Sequence, residues 1–321
     1  MTKNYVLKYL IENQGYSSGE VISKKLGVSR AAVNLAVKTL RNEGFDILST
    51  TNKGYKLVEI ADVINNALIS VYSKRAENVF CLDSVDSTNN YLKMLTHKNV
   101  EDRTVVVADF QNMGRGRSGK SFTSPKGVGI YLSYLIKMDK TVADVSGLTA
   151  QVAVCVARAI EKVTGESVGI KWVNDLLLGS KKICGILSEM SVEGDSGRVD
   201  NVVIGIGINV NNEQDSFSEE LQKIATSIKA YSGKPFIRAQ IIGAIIDELD
   251  ALNGQRYLEE YKSRCLTLGK DVTFTLNGAV KKGKAVDLDD DFGLVIEYPD
   301  GTRQTLTFGE TSVRGLYGYT D

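Results

Sequence analysis

Polar and apolar positions follow three successive patterns along this 321-residue chain. Up to Glu43 the apolar residues recur at helical spacing. From Val79 to about Arg264 short apolar runs alternate with amphipathic stretches. From Leu268 onward short runs are separated by strong turn signals. The first pattern predicts a helix over residues 5–11, then a capping-box pair, Ser17 and Glu20, opening a short helix that ends at Leu26. Gly27 makes a turn, and Ser29 caps a third helix running to Glu43. Val33, Ala36, Val37 and Leu40 share one face of that helix, with Arg30, Asn34, Lys38 and Arg41 largely on the others. Residues 47–50 and 55–57 flank Thr51-Asn52-Lys53-Gly54 and predict a hairpin that would serve as a basic wing. Together these elements predict a winged helix-turn-helix, whose third helix would present its N-terminal end to base edges. A small three-helix adaptor with a solvated basic face is the plainer alternative.

The second pattern predicts strands over residues 79–82, 104–109, 129–136, 168–172, 182–190 and 202–209, and helices over 87–96, 145–164, 238–252 and 256–264. This is an α/β (α+β) unit. A helical stretch over 61–70 links it to the first, with no proline or glycine run at the joint. The third pattern carries turns at Asn277-Gly278, Asp289-Asp290-Asp291-Phe292-Gly293 and Pro299-Asp300-Gly301. It predicts a small C-terminal β-barrel of SH3-like kind, whose residues do not separate a structural appendage from a docking role. The expected domains are 1–62, 63–266 and 267–321.

Charge sharpens the first domain. The whole chain balances 39 basic against 39 acidic residues, which excludes a globally basic, purely electrostatic nucleic-acid binder. Residues 1–59 nevertheless carry nine Lys or Arg against five acids, a local surplus of four positive charges. Four scattered cysteines, Cys81, Cys155, Cys184 and Cys265, form no C-x-x-C pair, so neither a disulfide framework nor a zinc site is expected. The single histidine, His97, falls at the polar end of a predicted helix. Unless His97 itself is the base, histidine-based nucleophilic catalysis is set aside, and multi-histidine metal sites are excluded. Chemistry here is expected to rest on fixed charge, position and Mg²⁺, with no metal site built by the chain itself. With no signal-like leader and no apolar run of membrane-spanning length, a soluble, cytoplasmic protein with no membrane partner is expected.

Two segments have the composition of a site. In Gly114-Arg115-Gly116-Arg117-Ser118-Gly119-Lys120 the glycines free the backbone, while two arginines and a lysine offer contacts to phosphate or carboxylate oxygens. The match to G-x-G-x-x-G is rejected as a dinucleotide fingerprint: the preceding strand ends several residues early, and the segment after Pro125 is β-rich where that fingerprint needs a helix. A solvated basic loop is the alternative. Downstream, Lys171-Trp172-Val173-Asn174-Asp175 precedes Leu176-Leu177-Leu178, a turn at Gly179-Ser180, and the strand with Lys182. In that hairpin Asp175 and Lys182 lie on neighbouring strands and could converge on one ligand. By spacing alone, a structural salt bridge on an edge hairpin is the better account.

Taken in order, Gly114-Arg115-Gly116-Arg117, Ser124-Pro125, Lys171-Trp172-Val173-Asn174-Asp175, Lys182 with Gly185-Ile186-Leu187, and Gly205-Ile206-Gly207-Ile208-Asn209-Val210 closely resemble the biotin protein ligase family. With the N-terminal winged helix, the chain resembles its bifunctional ligase and biotin-operon repressor type. The resemblance covers nearly the whole chain. It implies that biotin and ATP, with Mg²⁺, give biotinyl-5'-AMP, from which biotin passes to a lysine of a carboxylase's biotin carboxyl-carrier protein. It also implies a homodimer, when adenylate is bound, acting on operator DNA.

By resemblance, the biotin pocket maps onto Ser87, Thr88, Asn89, Gln111, Arg115, Gly116, Arg117 and Lys182. Small hydroxyl and amide groups suit a ureido ring with two N–H donors and one carbonyl. Arg115, Arg117, Lys182 and Asp175 are the implied catalytic group, and Arg117, Asn174, Asp175 and Asn209 the implied nucleotide contacts. The implied DNA contacts are Ser29, Arg30, Ala31, Asn34, Lys38 and Lys53. The chain departs from the family at Val173, where proline is usual, at Ser118 and Lys120, where arginines are common, and at Phe122, where tryptophan is common. None of these removes a proposed catalytic charge. Ligation of lipoate or octanoate is the rival within enzymes, and a DNA-binding biotin sensor without ligase activity the rival outside them. Residues 211–224 could cover a nucleotide but contain no stacking tryptophan.

Overall fold

The computed structural model describes residues 2–75, 77–192, 197–252, 256–276, 279–307 and 313–315. The first unit contains α1 (Thr2–Glu12), α2 (Gly19–Leu26), α3 (Arg30–Asn42) and an antiparallel hairpin of β1 (Asp46–Thr50) and β2 (Gly54–Glu59). α3 forms because Val33, Ala36, Val37 and Leu40 make one buried stripe and Ser29 Oγ accepts the N–H of Ala32. α2 is capped by Ser18, which accepts from Val21 N–H, and not by Ser17. Ser17 instead exchanges both backbone hydrogen bonds with Tyr55 and ties the helices to the wing. Gly27 ends α2 at φ 63°, a left-handed turn that a residue with a Cβ resists. Helix-turn-helix and wing are therefore as expected.

The linking helix α4 (Asn66–Tyr72) starts five residues later than expected, because Asn65 Oδ1 caps it through Leu68 N–H. Asp62, inside the expected helix, is drawn onto Arg238.

The central unit is built on a seven-stranded mixed sheet. Its elements are β3 (Val79–Leu82), α5 (Thr88–Thr96), β4 (Val105–Ala108), β5 (Gly129–Thr141), α6 (Leu148–Thr164), β6 (Gly169–Lys171), β7 (Asp175–Leu178), β8 (Lys181–Val192), β9 (Arg198–Asn209), α7 (Glu219–Ile224), α8 (Ile228–Ser232), α9 (Arg238–Asp250) and α10 (Leu258–Arg264). Sheet order is β3-β4-β5-β9-β8-β7-β6, with only β3 and β4 parallel. β5 and β9 run several residues past their apolar runs, pairing Lys140 with Val199 across a register shift. α6 begins after Gly147 and not at Val145, since Ala143–Val145 is a 3₁₀ turn.

Alternation sorts the strands onto two faces. Val105, Val107, Ile204, Ile206 and Ile208 join the large core under α6 and α9, while Val106, Leu135 and Val203 pack with Leu92 and Leu95 of α5 on the other face.

Arg238, 2% exposed, opens α9 and gathers three segments. Its Nε donates to Asp62 Oδ2 at 2.9 Å, and its guanidinium also donates to Asp109 Oδ1 at 2.7 Å and to the carbonyl of Gly129 at 3.1 Å.

The third unit is a small antiparallel β domain of β10 (Asp271–Leu276), β11 (Ala279–Leu288), β12 (Leu294–Glu297), β13 (Arg303–Leu306) and β14 (Val313–Gly315), in the order β13-β12-β11-β10-β14. The expected turn at Asn277-Gly278 lies outside the described residues. At the Asp289 turn, the carboxylate accepts from the N–H groups of Asp291 and Gly293. Among the described residues no helix is long and apolar enough to cross a membrane.

Candidate functional site

The basic loop and the α5 face of the sheet enclose a cavity of about 830 Å³. Ser87, Thr88, Asn89, Gln111, Arg115, Gly116, Arg117, Asn174, Asp175, Lys182 and Asn209 all line it, so the structure brings every expected ligand-site residue together.

Its floor comes from β9. In Gly205-Ile206-Gly207-Ile208 the isoleucines enter the core, and the alternating glycines leave room above the strand. A Cβ on Gly205 would stand 2.5 Å from Asn89 Oδ1, and one on Gly207 2.7 Å from the Phe122 ring.

One wall is amide and hydroxyl. Ser87 occupies the N-cap position of α5, but its side chain makes no cap hydrogen bond. Gln111 Oε1 accepts from Thr88 N–H at 2.8 Å, and Gln111 Nε2 donates to Ser124 Oγ at 2.9 Å. Asn89 lies between Ser133 and Glu189.

The opposite wall is cationic. Arg115, Arg117, Lys120, Lys171 and Lys182 line the cavity against one carboxylate, Asp175. That imbalance suits an anionic ligand. Lys182 Nζ lies 2.6 Å from Asp175 Oδ1, with Lys182 opposite Leu177 and Asp175 opposite Gly185 in the β7–β8 ladder. The salt bridge exists, yet not on an edge hairpin: β6 lies outside β7, and the pair faces the cavity. Arg117 donates to Asn174 Oδ1 at 3.0 Å, and Asn174 Nδ2 donates in turn to the carbonyl of Ile186 at 2.8 Å. Asn174 thus acts as a bracket between the loop and β8. Asn209 Nδ2 donates to the carbonyl of Thr226 at 3.1 Å, fixing the segment beyond α7.

The loop itself closes as a short hairpin. Arg115 pairs with Ser121, and Gly116 N–H donates to the carbonyl of Lys120 at 2.7 Å, around a 3₁₀ turn at Arg117–Gly119.

No cysteine competes as a nucleophile. Burial pushes the thiols of Cys81 and Cys155 up to about 12, and raises those of Cys184 and Cys265. His97 lies exposed at the C-cap of α5, as expected.

Several lining residues escaped the sequence reading. Phe217, Leu221 and Ile224, in the 211–224 segment suggested as a nucleotide cover, line the cavity, and their i, i+4, i+7 spacing was a signal not read there. Thr275 reaches the cavity from the third unit, where no local pattern marks it. Trp172, whose following peptide bond to Val173 is cis, donates from Nε1 to the carbonyl of Phe292 at 2.9 Å.

On the first unit, Ser29, Arg30, Ala31, Asn34 and Lys38 are exposed along α3, and Lys53 is exposed in the wing. Arg41 is committed elsewhere, donating from Nε to the carbonyl of Ile47 at 2.8 Å and so joining α3 to the wing.

Comparison with known proteins agrees with this arrangement. Residues 81–209 match the biotin/lipoate A/B protein ligase family, residues 2–56 an HTH domain, and residues 267–314 the biotin protein ligase C-terminal domain. The bifunctional ligase/repressor BirA of Bacillus spizizenii is 35% identical over 304 residues, 90% of this chain and 91% of that protein. Its counterpart from Escherichia coli is 35% identical over 201 residues, 63% of this chain and 61% of that protein. Among solved structures, biotin protein ligase from Aquifex aeolicus in complex with biotin and ATP superposes with a TM-score of 0.63 at 29% identity, covering 74% of this chain and 99% of that one. A chain with this cavity, this winged helix and these relatives belongs to the biotin protein ligase family, in its bifunctional ligase/repressor form.

Proposed function

We propose that the cavity joins biotin to AMP and that the same protein, once it holds the adenylate, represses transcription through its winged helix. The observation that carries this reading is the pairing of a polar amide and hydroxyl wall with five cations and one carboxylate in a single cavity. A ureido ring fits the first, and a carboxylate meeting a triphosphate needs the second.

In the first step a biotin carboxylate oxygen bonds to the α-phosphorus of ATP, and the bond to the bridging oxygen breaks, releasing pyrophosphate. Arg115, Arg117 and Lys182 offset the repulsion between the anions and stabilise the crowded oxyanion. Asp175 holds Lys182, and Asn174 holds Arg117. Asn209 and Asn174 frame the nucleotide end. Mg²⁺ carried on the ATP phosphates would add positive charge there beside that of Arg115, Arg117 and Lys182. Among the described residues no three metal-ligating side chains cluster to form a separate cage for it. In the second step the amine of an acceptor lysine on a biotin carboxyl-carrier protein attacks the anhydride carbonyl, loses a proton and expels AMP. No enzyme nucleophile is required.

For repression, Ser29, Arg30, Ala31, Asn34, Lys38 and Lys53 are the proposed operator contacts, brought to both half-sites by an adenylate-stabilised homodimer. Such a protein works in the cytoplasm.

Pyrophosphate exchange into ATP, run in parallel with biotin, lipoate and octanoate, tests the enzyme reading. Exchange with biotin alone is expected. Exchange with lipoate or octanoate reassigns the substrate, and biotin binding without exchange makes the protein a sensor. Sedimentation with and without biotinyl-5'-AMP tests the dimer, and an unchanged monomer fraction together with unchanged operator affinity would sink the regulatory part.

Gly205→Ala gives a narrower test. Asn89 is buried and hydrogen-bonded on both sides, so the new Cβ must displace it. Overpacking of this kind typically costs about 1–3 kcal/mol, which predicts about tenfold weaker biotin binding by calorimetry, with ATP affinity preserved.

A further inference from the structure

Helix α3 carries two stripes of the same spacing. Val33, Ala36, Val37 and Leu40 are buried in the core, and Ala31, Asn34, Leu35 and Lys38 repeat the interval i, i+3, i+4, i+7 among exposed positions. Each residue turns the helix by about 100°, which sets the two stripes on opposite sides. Leu35 stands in the middle of the outer one. It is 66% exposed, more than any other leucine among the described residues, and takes no part in the core there.

A lone surface leucine is ordinary. This one sits among groups suited to a polyanion. Asn34 precedes it, with its amide nitrogen 3.4 Å from the hydroxyl of Tyr55 in the wing, and exposed Lys38 lies one turn on. Ala31, one turn back, lengthens the apolar strip. No acid occurs between Ser29 and Asn42, whereas Arg30, Lys38 and Arg41 are cationic.

The major groove of B-DNA displays one kind of apolar group, the C5-methyl of thymine. The other groups on base edges there are hydrogen-bond donors and acceptors, which a leucine would strip of water without replacing it. Cytosine in the same place presents an amino donor and no methyl. An apolar side chain at the centre of a groove-facing stripe therefore selects for thymine.

We infer that Leu35 is a specificity-determining residue of the winged helix, reading a thymine methyl at one position in each operator half-site. The inference rests on the proposed repressor role, and Leu35 is not one of the operator contacts given above.

Leu35→Ala tests it. Alanine is the better helix former and the leucine supports no core, so thermal unfolding should match the wild type. Each protein, supplied with biotinyl-5'-AMP, is used to select binding sites from a randomised duplex pool. The wild type should fix thymine at a position of each half-site where Leu35→Ala shows no preference. That thymine is then replaced by deoxyuridine, which removes the methyl and nothing else. Losing one methyl contact in each of two half-sites predicts about tenfold weaker binding by the wild type, while Leu35→Ala should bind both duplexes equally. Identical preferences in the two selections, or a deoxyuridine penalty as large in Leu35→Ala as in the wild type, would overturn the inference. So would a Leu35→Ala protein that dimerises less than the wild type in the absence of DNA, since that outcome gives the face to a protein partner. If the wild type selects no site, the repressor reading falls and the inference with it, whereas a selected site indifferent to Leu35 removes the inference alone.

Discussion

Lys182→Ala is expected to slow adenylate formation by about 10²- to 10³-fold while changing biotin affinity far less, because a preorganised charge contact to a developing oxyanion is worth more in the transition state than in the ground state. Two effects combine at this position. The variant removes a cation whose Nζ is held 2.6 Å from Asp175 Oδ1 at the cavity wall. It also leaves the carboxylate of Asp175 without that cation, facing incoming phosphates. The site becomes both less attractive and more repulsive to the crowded oxyanion. If, as proposed, the ureido ring sits against the polar wall around Thr88, Asn89 and Gln111, biotin affinity should rest chiefly on that wall, which this change does not touch. Single-turnover adenylation and calorimetric biotin titration separate the two quantities, and equal losses in both would contradict the role given to Lys182.

The second large effect concerns stability. Arg238→Leu is expected to destabilise the fold by about 3–5 kcal/mol, the usual cost of removing one partner from a buried ion pair. The guanidinium is 2% exposed and satisfies Asp62, Asp109 and the carbonyl of Gly129 together. Leucine would fill part of the space and leave two carboxylates facing a carbonyl with no cation between them. Asp109 directly follows β4 and stands two residues before Gln111, and Gly129 opens β5, so the damage should reach the polar wall of the cavity as well. Urea unfolding monitored by circular dichroism measures it. A loss below about 1 kcal/mol would mean that the cluster holds position without contributing stability.

Local signals made much of this architecture legible. The stripe of Val33, Ala36, Val37 and Leu40 marked α3, Ser29 marked its start, and Gly179-Ser180 marked the β7–β8 hairpin. These depend on a few neighbouring residues, so the chain displays them directly. The features that were misread depend on partners distant in sequence. Ser17 lost its expected cap because Tyr55 claims its backbone, and the linking helix started late because Arg238, 176 residues beyond Asp62, holds that aspartate. The ends of β5 and β9 carried no apolar pattern because they are held by backbone pairing, Lys137 with Asn201 and Lys140 with Val199, and not by a buried face. In the site, the cations and the Gly205-Ile206-Gly207 alternation were readable. Thr275, Ser133 and Glu189 were not, since only the assembled sheet and the third unit bring them to the cavity or behind it.

The indole of Trp172 joins two regions that the hydrophobic pattern separates at about Leu268. Its ring nitrogen is satisfied by the Phe292 carbonyl, its backbone N–H by Thr267 Oγ1 at 3.0 Å, and the Phe292 ring sits edge-on to Tyr261. Cutting the chain after the last helix would leave a buried donor without that acceptor in the wall of the cavity. The change in pattern is therefore a seam in the sequence and not a seam in cooperativity: the sheet and the small β unit should melt as one body, and neither can be lost in evolution or in the laboratory without the other paying in stability.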